Sequence, residues 1–302
     1  MRPAEQHFLE VPALSLQIAR PWQACFSKIN GPPSCDAMLT RLVLNELVRD
    51  GVRSVKERKV PRGLLSWDFN GGYCPICQCR TIFVEKDKWL RDFYQCIRCH
   101  GIPRWRALIY VLETHFANWR DLRIHESSPG GASSEKLRRE CKNYISTHFF
   151  SGVPAGEIHH GHRSENLSSQ TFADGEFDLV ITQDVFEHVL DPASAFSEVA
   201  RTLKPGGAHV FTVPWYYWKE TLIRAVQDGG EIRHLEAPEY HGNPIDPSGA
   251  LVVTEWGWDL CDFIFEYSAM RTTPIRIKDR YRGIDAEFIE VFISRKSTVC
   301  RG

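Results

Sequence analysis

The sequence predicts an α/β protein. A doubly wound, mostly parallel sheet follows an N-terminal helical lead-in and a small cysteine-rich module. Three observations carry this reading. The first is a βαβ unit. Residues 177–182 are apolar and β-branched without alternation, as a strand buried on both faces should be. Asp191-Pro192 then starts a helix with Ala195, Phe196, Val199, Ala200 and Leu203 at helical spacing. Lys204-Pro205-Gly206-Gly207 ends it, and 208–213 is a second buried strand. Such a unit needs a parallel sheet, which places ligands beyond the carboxyl ends of its strands. The second observation is a glycine-bearing turn between a strand and a helix at 126–131. The third is a pair of CxxC motifs at 74–77 and 96–99.

Residues 1–69 form the lead-in. Pro3, Pro12, Pro21, Pro32 and Pro33 break any long helix there. Helical periodicity first appears at 36–50, with Met38, Leu39, Leu42, Val43, Leu47 and Val48 on one face. Ser34 or Asp36 suits its N-cap and Gly51 its end. Such a face packs on something: a scaffold, a substrate entrance or a second copy in a homodimer.

Residues 70–106 form the module. Cys74, Cys77, Cys96 and Cys99 have the spacing of paired zinc knuckles, in which four thiolates close a tetrahedral site. With no open position for water, Zn2+ there is structural. The segment 81–94 between the knuckles makes a hairpin. Cys79 and His100 read as bystanders, and Cys25, Cys35, Cys141, Cys261 and Cys300 as isolated thiols. The module also carries Arg80, Lys86, Lys88, Arg91, Arg98, Arg104 and Arg106, with Tyr94 and Trp105 interleaved. Basic patches with aromatics suit nucleic acid. Glu85, Asp87 and Asp92 dilute this patch, and cations beside a four-thiolate site offset its negative charge. The second reading is favoured.

Residues 107–302 form the sheet domain. A helix at 105–116 leads into it. Strands are expected at 122–125, 144–146 and 158–161, with a helix at 132–141. His159, His160 and His162 read as an exposed loop rather than a metal site. A helix is expected at 254–265 with Trp256, Leu260, Phe263 and Ile264 inward, and the last strands at 271–277 and 288–294. Trp215, Tyr216, Tyr217 and Trp218 cannot all face one core, so some wall a cleft.

Composition bounds the rest. The chain has 302 residues, 43% hydrophobic and 25% charged, with a net charge of −1. No apolar run approaches the roughly 20 residues that span a bilayer. The first 23 residues lack the basic start and uninterrupted apolar core of a signal peptide, so the expected location is cytoplasmic. The near-neutral charge gives no general attraction to nucleic acid or an anionic membrane. Ten cysteines in a cytosolic setting argue against a disulfide scaffold.

Glu126–Gly131, Ser164-Glu165-Asn166-Leu167, the run from Phe177 to Pro192 and the run from Leu203 to Pro214 together resemble a class I S-adenosylmethionine-dependent methyltransferase. The resemblance spans roughly 120–295. The zinc knuckles and 238–249 resemble the subgroup with an N-terminal zinc-ribbon-like module. The resemblance implies a seven-stranded Rossmann-like sheet whose final strand is antiparallel. It also implies a cofactor site. Glu126, Pro129, Gly130 and Gly131 would line the methionine part, Glu165 and Asn166 the adenine, and Gln183 and Asp184 the methyl group and acceptor. The second strand usually ends in a ribose-binding carboxylate, but here Thr147 and His148 hold that place.

Methyl transfer from a sulfonium is an in-line displacement, so the protein chiefly aligns the acceptor. A base is needed only where the acceptor loses a proton. Asp184, His188 and His241 are the candidates. The expected function is methyl transfer to a small-molecule acceptor. The rivals are an RNA or translation-factor methyltransferase that reads substrate through the zinc module, and a non-catalytic binding protein of the same fold.

Overall fold

A computed structural model describes residues 68–242 and 248–298. Residues 1–67 of the lead-in, with its expected helix at 36–50, lie outside the described residues, as do 243–247 in the expected 238–249 motif; Phe69, expected to close the lead-in, begins the module's first strand.

The cysteine-rich module is a three-stranded antiparallel sheet. Strand β1 (Phe69–Cys74) pairs with β2 (Cys79–Glu85), which pairs with β3 (Tyr94–Cys96). A single helical turn, α1 (Leu90–Phe93), lies between β2 and β3. Helix α2 (Pro103–His115) begins inside the module and continues into the sheet domain, with proline in its first turn. The expected boundary at 106/107 falls within this helix.

The main sheet contains β4 (Arg123–Ser127), β5 (Asn143–His148), β6 (Ile158–His159), β7 (His162–Ser164), β8 (Phe177–Gln183) and β9 (Leu203–Thr212). Two C-terminal strands, Arg271–Ile275 and Val291–Arg295, complete it. The spatial order is β6-β7-β5-β4-β8-β9, then Val291–Arg295, then Arg271–Ile275. Strands β7, β5, β4, β8 and β9 are parallel, and Val291–Arg295 runs antiparallel between β9 and Arg271–Ile275. The sheet therefore has eight strands rather than the expected seven. The extra one, β6, is a two-residue edge strand hairpinned onto β7. The third parallel strand is accordingly His162–Ser164, not 158–161.

Helices α3 (Gly131–Glu140), α4 (Pro192–Thr202) and α5 (Leu260–Ser268) pack on the sheet. Asp191 caps α4 by accepting the Ser194 N–H at 3.0 Å. The helix expected at 254–265 begins later. Thr254–Gly257 is a strand, parallel to Trp215–Tyr216 and antiparallel to Leu222–Ile223. A Cβ on Gly257 would come within 2.4 Å of the backbone of 219–221, so only glycine permits this close pairing. The Gly257 carbonyl accepts the Trp215 indole N–H at 2.7 Å.

Strand β8 shows why its sequence lacks alternation. Leu179 and Ile181 join a core with α2 and the cysteine module, while Phe177 and Val180 join a second core with α4 and α5. The first core runs without a break from Phe83, Tyr94 and Cys96 through Leu108 and Leu112 to Val210 and Ile293. Burying each large apolar side chain contributes roughly 1.5–3 kcal/mol. Module and sheet therefore stabilise one another.

Candidate functional site

Strands β4 and β8 are neighbours, and their carboxyl ends bring Glu126 and Gln183 together. Glu126 is fully buried. Its carboxylate accepts hydrogen bonds from Ser134 Oγ at 2.6 Å, Gln183 Nε2 at 2.7 Å and Tyr144 OH at 2.5 Å. Burial pushes its carboxyl up, and these three donors oppose that shift. Ser134 Oγ also accepts the Gly130 N–H at 2.9 Å, while Ser133 Oγ donates to Gln183 Oε1 at 2.9 Å. One polar network therefore fixes the turn after β4 against the end of β8.

The two glycines of that turn differ. Gly131 has φ +71°, and a Cβ there would lie 2.1 Å from the Trp105 ring. Gly130 is extended, and a Cβ there would meet no atom of the described residues within 4 Å. Gly130 thus borders open space at the start of α3, the place where a ligand can approach the backbone.

Asp184, directly after β8, has φ +52°, a left-handed conformation that aspartate tolerates better than most residues. Its carboxylate lies 2.8 Å from Arg91 Nη2 and 2.8 Å from Arg104 Nε, both from the cysteine module and α2. Thr212 Oγ1 donates to it at 3.0 Å. Burial raises its carboxyl, but the two guanidiniums and the hydrogen bonds outweigh it and hold the group at about 2. Such a carboxylate is a poor proton acceptor at neutral pH.

Glu187, His188 and His241 form a second cluster. Glu187 and His188 lie on the short 3-10 turn Phe186–His188, and His241 belongs to the strand Tyr240–His241. Glu187 is 2% exposed, and neither carboxylate oxygen has a hydrogen-bond partner among the described residues. Burial, reinforced by nearby Asp184, raises its carboxyl well above the ordinary range. His188 Nε2 lies 3.8 Å from Glu187 Oε1 and His241 Nδ1 lies 4.0 Å from it. His188 Nδ1 bonds the Leu251 carbonyl at 2.8 Å.

The remaining residues expected around a cofactor are placed differently. Thr147 Oγ1 bonds the buried His125 ring at 2.9 Å. The His148 ring stands edge-on to His162 at 4.6 Å, and burial holds it at about 4, hence neutral. Glu165 is buried and faces Arg163 at 2.8 Å and the Thr171 N–H at 3.0 Å. Asn166 Oδ1 accepts the Ser168 N–H at 2.9 Å. Pro129 sits in the turn beside Gly130.

The four expected metal ligands converge. Cys74 Sγ lies 3.7 Å from Cys99 Sγ and Cys77 Sγ lies 3.9 Å from Cys96 Sγ. Zn–S bonds of about 2.3 Å in a tetrahedron need sulfurs about 3.8 Å apart. Gln78 and His100 follow the two CxxC pairs with φ +52° and +54°, so the knuckles share one turn geometry. The Arg98 N–H donates to Cys96 Sγ at 3.4 Å. Arg106 is fully buried beside the cysteines and donates to the carbonyls of Gly101, Tyr94 and Gly283.

Of the four consecutive aromatics, Trp215 is buried, while Tyr217 and Trp218 are 46% and 61% exposed. Tyr216 and Trp218 gather around Phe288 at 5.0 and 5.9 Å, and Trp89 of the module reaches the same ring at 6.1 Å.

Sequence reasoning missed Ser133, Ser134, Tyr144 and the arginine partners of Asp184. No spacing signal singles out Glu187. Nothing in local spacing pairs Arg91 with a residue 93 positions away.

A family model described as a methyltransferase domain matches residues 129–211, the stretch from the glycine turn through most of β9. A polyketide synthase-nonribosomal peptide synthetase from Aspergillus clavatus is 25% identical over 140 residues, which cover 40% of this chain and 3% of that protein. The chain thus corresponds to a small part of that relative's length. An S-adenosylmethionine-dependent methyltransferase structure from Mesorhizobium loti is 15% identical, with a TM-score of 0.41, covering 63% of this chain and 98% of its own. A Burkholderia thailandensis 1,6-didemethyltoxoflavin-N1-methyltransferase, solved with 1,6-didemethyltoxoflavin and S-adenosylhomocysteine, is 13% identical. It covers 89% of this chain and 93% of its own, with a TM-score of 0.39.

Proposed function

We propose that this chain is an S-adenosylmethionine-dependent methyltransferase acting on a small-molecule acceptor. The observation that carries the reading is the Glu126–Ser134–Gly130–Gln183 network at the adjoining carboxyl ends of β4 and β8, whose Gly130, Ser134 and Gln183 fall within the stretch that matches a methyltransferase domain. Parallel sheets bind ligands at this edge. The open space at Gly130 and the polar groups around it fit the methionine end of the cofactor. That cofactor supplies an activated methyl group.

The protein's own residues then bind and orient. Glu126, buried and triply bonded, acts through Ser134 and Gly130 to hold the turn in shape rather than as a free carboxylate. Gln183 faces the reacting region from β8. Pro129 and Gly131 fix the turn. Thr147 and His148 lie at the ribose end of β5, and Glu165 and Asn166 at the adenine side. Asp184 is a positioning residue: it clamps the module onto the strand end. If the acceptor loses a proton, His188 and His241 are better placed to take it, because burial keeps His188 neutral. Tyr217, Trp218 and Trp89 supply apolar wall for the acceptor.

Cys74, Cys77, Cys96 and Cys99 hold a structural Zn2+, whose four thiolates are charge-balanced in part by Arg106. Arg91, Arg104 and Arg106 are turned inward to partners, so the module's cations offer less to a nucleic acid than their count suggests. One specific observation favours a second reading, a non-catalytic binder: β5 ends without a carboxylate for the ribose.

Thermal unfolding with S-adenosylhomocysteine tests the proposal. At about 100 times its Kd a ligand adds about 2.7 kcal/mol, a clear rise in Tm. No rise with either S-adenosylhomocysteine or S-adenosylmethionine would overturn it.

A further inference from the structure

We propose that Glu187, His188 and His241 form a second metal site, for a divalent first-row transition cation bound by nitrogen and oxygen. One potential ligand atom from each residue lies within 4.8 Å of the others. The site is separate from the four cysteines.

Three independent features point to an ion. First, both oxygens of a carboxylate that is 2% exposed accept no hydrogen bond from the described residues. A buried carboxylate without partners costs several kcal/mol, and an ion would remove that cost. Second, each histidine turns one nitrogen toward Glu187, and the other nitrogen of His188 is bonded to an acceptor. His188 Nδ1 is committed to the Leu251 carbonyl at 2.8 Å, which leaves the Nε2 lone pair facing Glu187. His241 Nδ1 lies 4.0 Å from Glu187 Oε1, while its Nε2 is 3.6 Å from Glu239 Oε1, too far for a hydrogen bond. An outer acceptor that fixes the tautomer of a ligating imidazole is the usual support for a metal ligand. Third, the nearby cations are already engaged: Arg91 and Arg104 bind Asp184, so neither neutralises Glu187 by a direct contact.

The distances require little adjustment. Ligand bonds of about 2.0–2.2 Å need donor atoms about 3–3.5 Å apart, so the ligand atoms, all within 4.8 Å of one another, would close by up to about 1.5 Å. Two imidazoles and a carboxylate suit zinc, iron or cobalt better than magnesium or calcium. Three protein ligands leave positions open, and the 38% exposed side chain of His241 marks the open side. On the methyltransferase reading proposed above, those positions would take an oxygen of the acceptor; with the ion bound, His188 and His241 act as its ligands and do not take the acceptor's proton. The binding of the ion does not depend on that reading.

The test uses the full chain with its cysteine site loaded with zinc, titrated with Co2+ and followed by calorimetry and visible absorption. Wild type is expected to take up one Co2+ per chain with nitrogen and oxygen d–d bands and without thiolate charge transfer. Glu187→Gln, which keeps the shape of the side chain, should weaken uptake about tenfold or more, and His241→Ala should do the same. His241 is partly exposed, so its variant reports even where Glu187→Gln folds poorly. No uptake by wild type beyond the cysteine site, or unchanged uptake in a folded His241→Ala protein, would overturn the site. Tm measured with S-adenosylhomocysteine on the same wild-type sample reports cofactor binding separately.

Discussion

Arg91 and Asp184 lie 93 positions apart in the chain and 2.8 Å apart in space. This contact joins the cysteine module to the carboxyl end of β8, and Arg104 reinforces it at the same distance. Removing the charge leaves two largely buried guanidiniums without their counter-ion. Asp184→Asn keeps a residue suited to the left-handed turn but should cost about 3 kcal/mol. Urea unfolding checks this. A double-mutant cycle with Arg91→Met should give a coupling of about 1 kcal/mol or more. A coupling near zero would show that the pair does not join the two parts.

Gly130 and Gly131 should separate fold from binding. Gly131→Ala forces a Cβ onto the Trp105 ring at φ +71°, so a fall in stability well above about 1 kcal/mol is expected. Gly130→Ala meets no atom of the described residues and should fold like wild type. Its methyl group would instead enter the open space beside the turn and weaken S-adenosylhomocysteine binding. Calorimetry and circular dichroism on both variants check the pair.

Zinc content should follow the four cysteines. Cys96→Ser is expected to lose the module's zinc, measured by elemental analysis of the purified chain. Cys96 and Phe83 belong to the same core as Leu108 and Val210, so the loss should lower the Tm of the whole fold. Full retention of zinc at this site would exclude the four-cysteine assignment.

Acid should destabilise the fold before its ordinary exposed carboxylates titrate. His125 and His209 are fully buried, and burial holds both rings at about 3, below the ordinary value near 6.5. The unfolded chain therefore binds more protons between these values. The stabilisation is complete above about pH 6.5 and is lost as the pH falls toward 3. Each ring contributes a slope of up to about 1.4 kcal/mol per pH unit. Urea midpoints from pH 7 to pH 5 check the trend. NMR should show both rings still neutral at pH 5 in the folded state.

The pattern of legibility has physical causes. The βαβ unit was readable because burial on both faces of β8 removes alternation, and because Asp191-Pro192 is a local capping signal. The four cysteines were readable because a knuckle is set by spacing within one turn. The 254–257 strand was not readable: Trp256 and Leu260 suit a helix, and only the close backbone approach at Gly257 selects the strand. The Asp184 clamp was hidden for a different reason. Its partners sit in another unit, among arginines that equally suited an exposed patch. Glu187 was hidden because an unpartnered carboxylate becomes informative only once its burial is known.

Isothermal titration calorimetry with S-adenosylhomocysteine, on wild type and Gly130→Ala side by side, tests the central claim most directly. The account predicts one molecule bound per wild-type chain and weaker binding to a folded Gly130→Ala protein. No binding to wild type, or equal binding to both proteins, would contradict a cofactor site at the turn after β4.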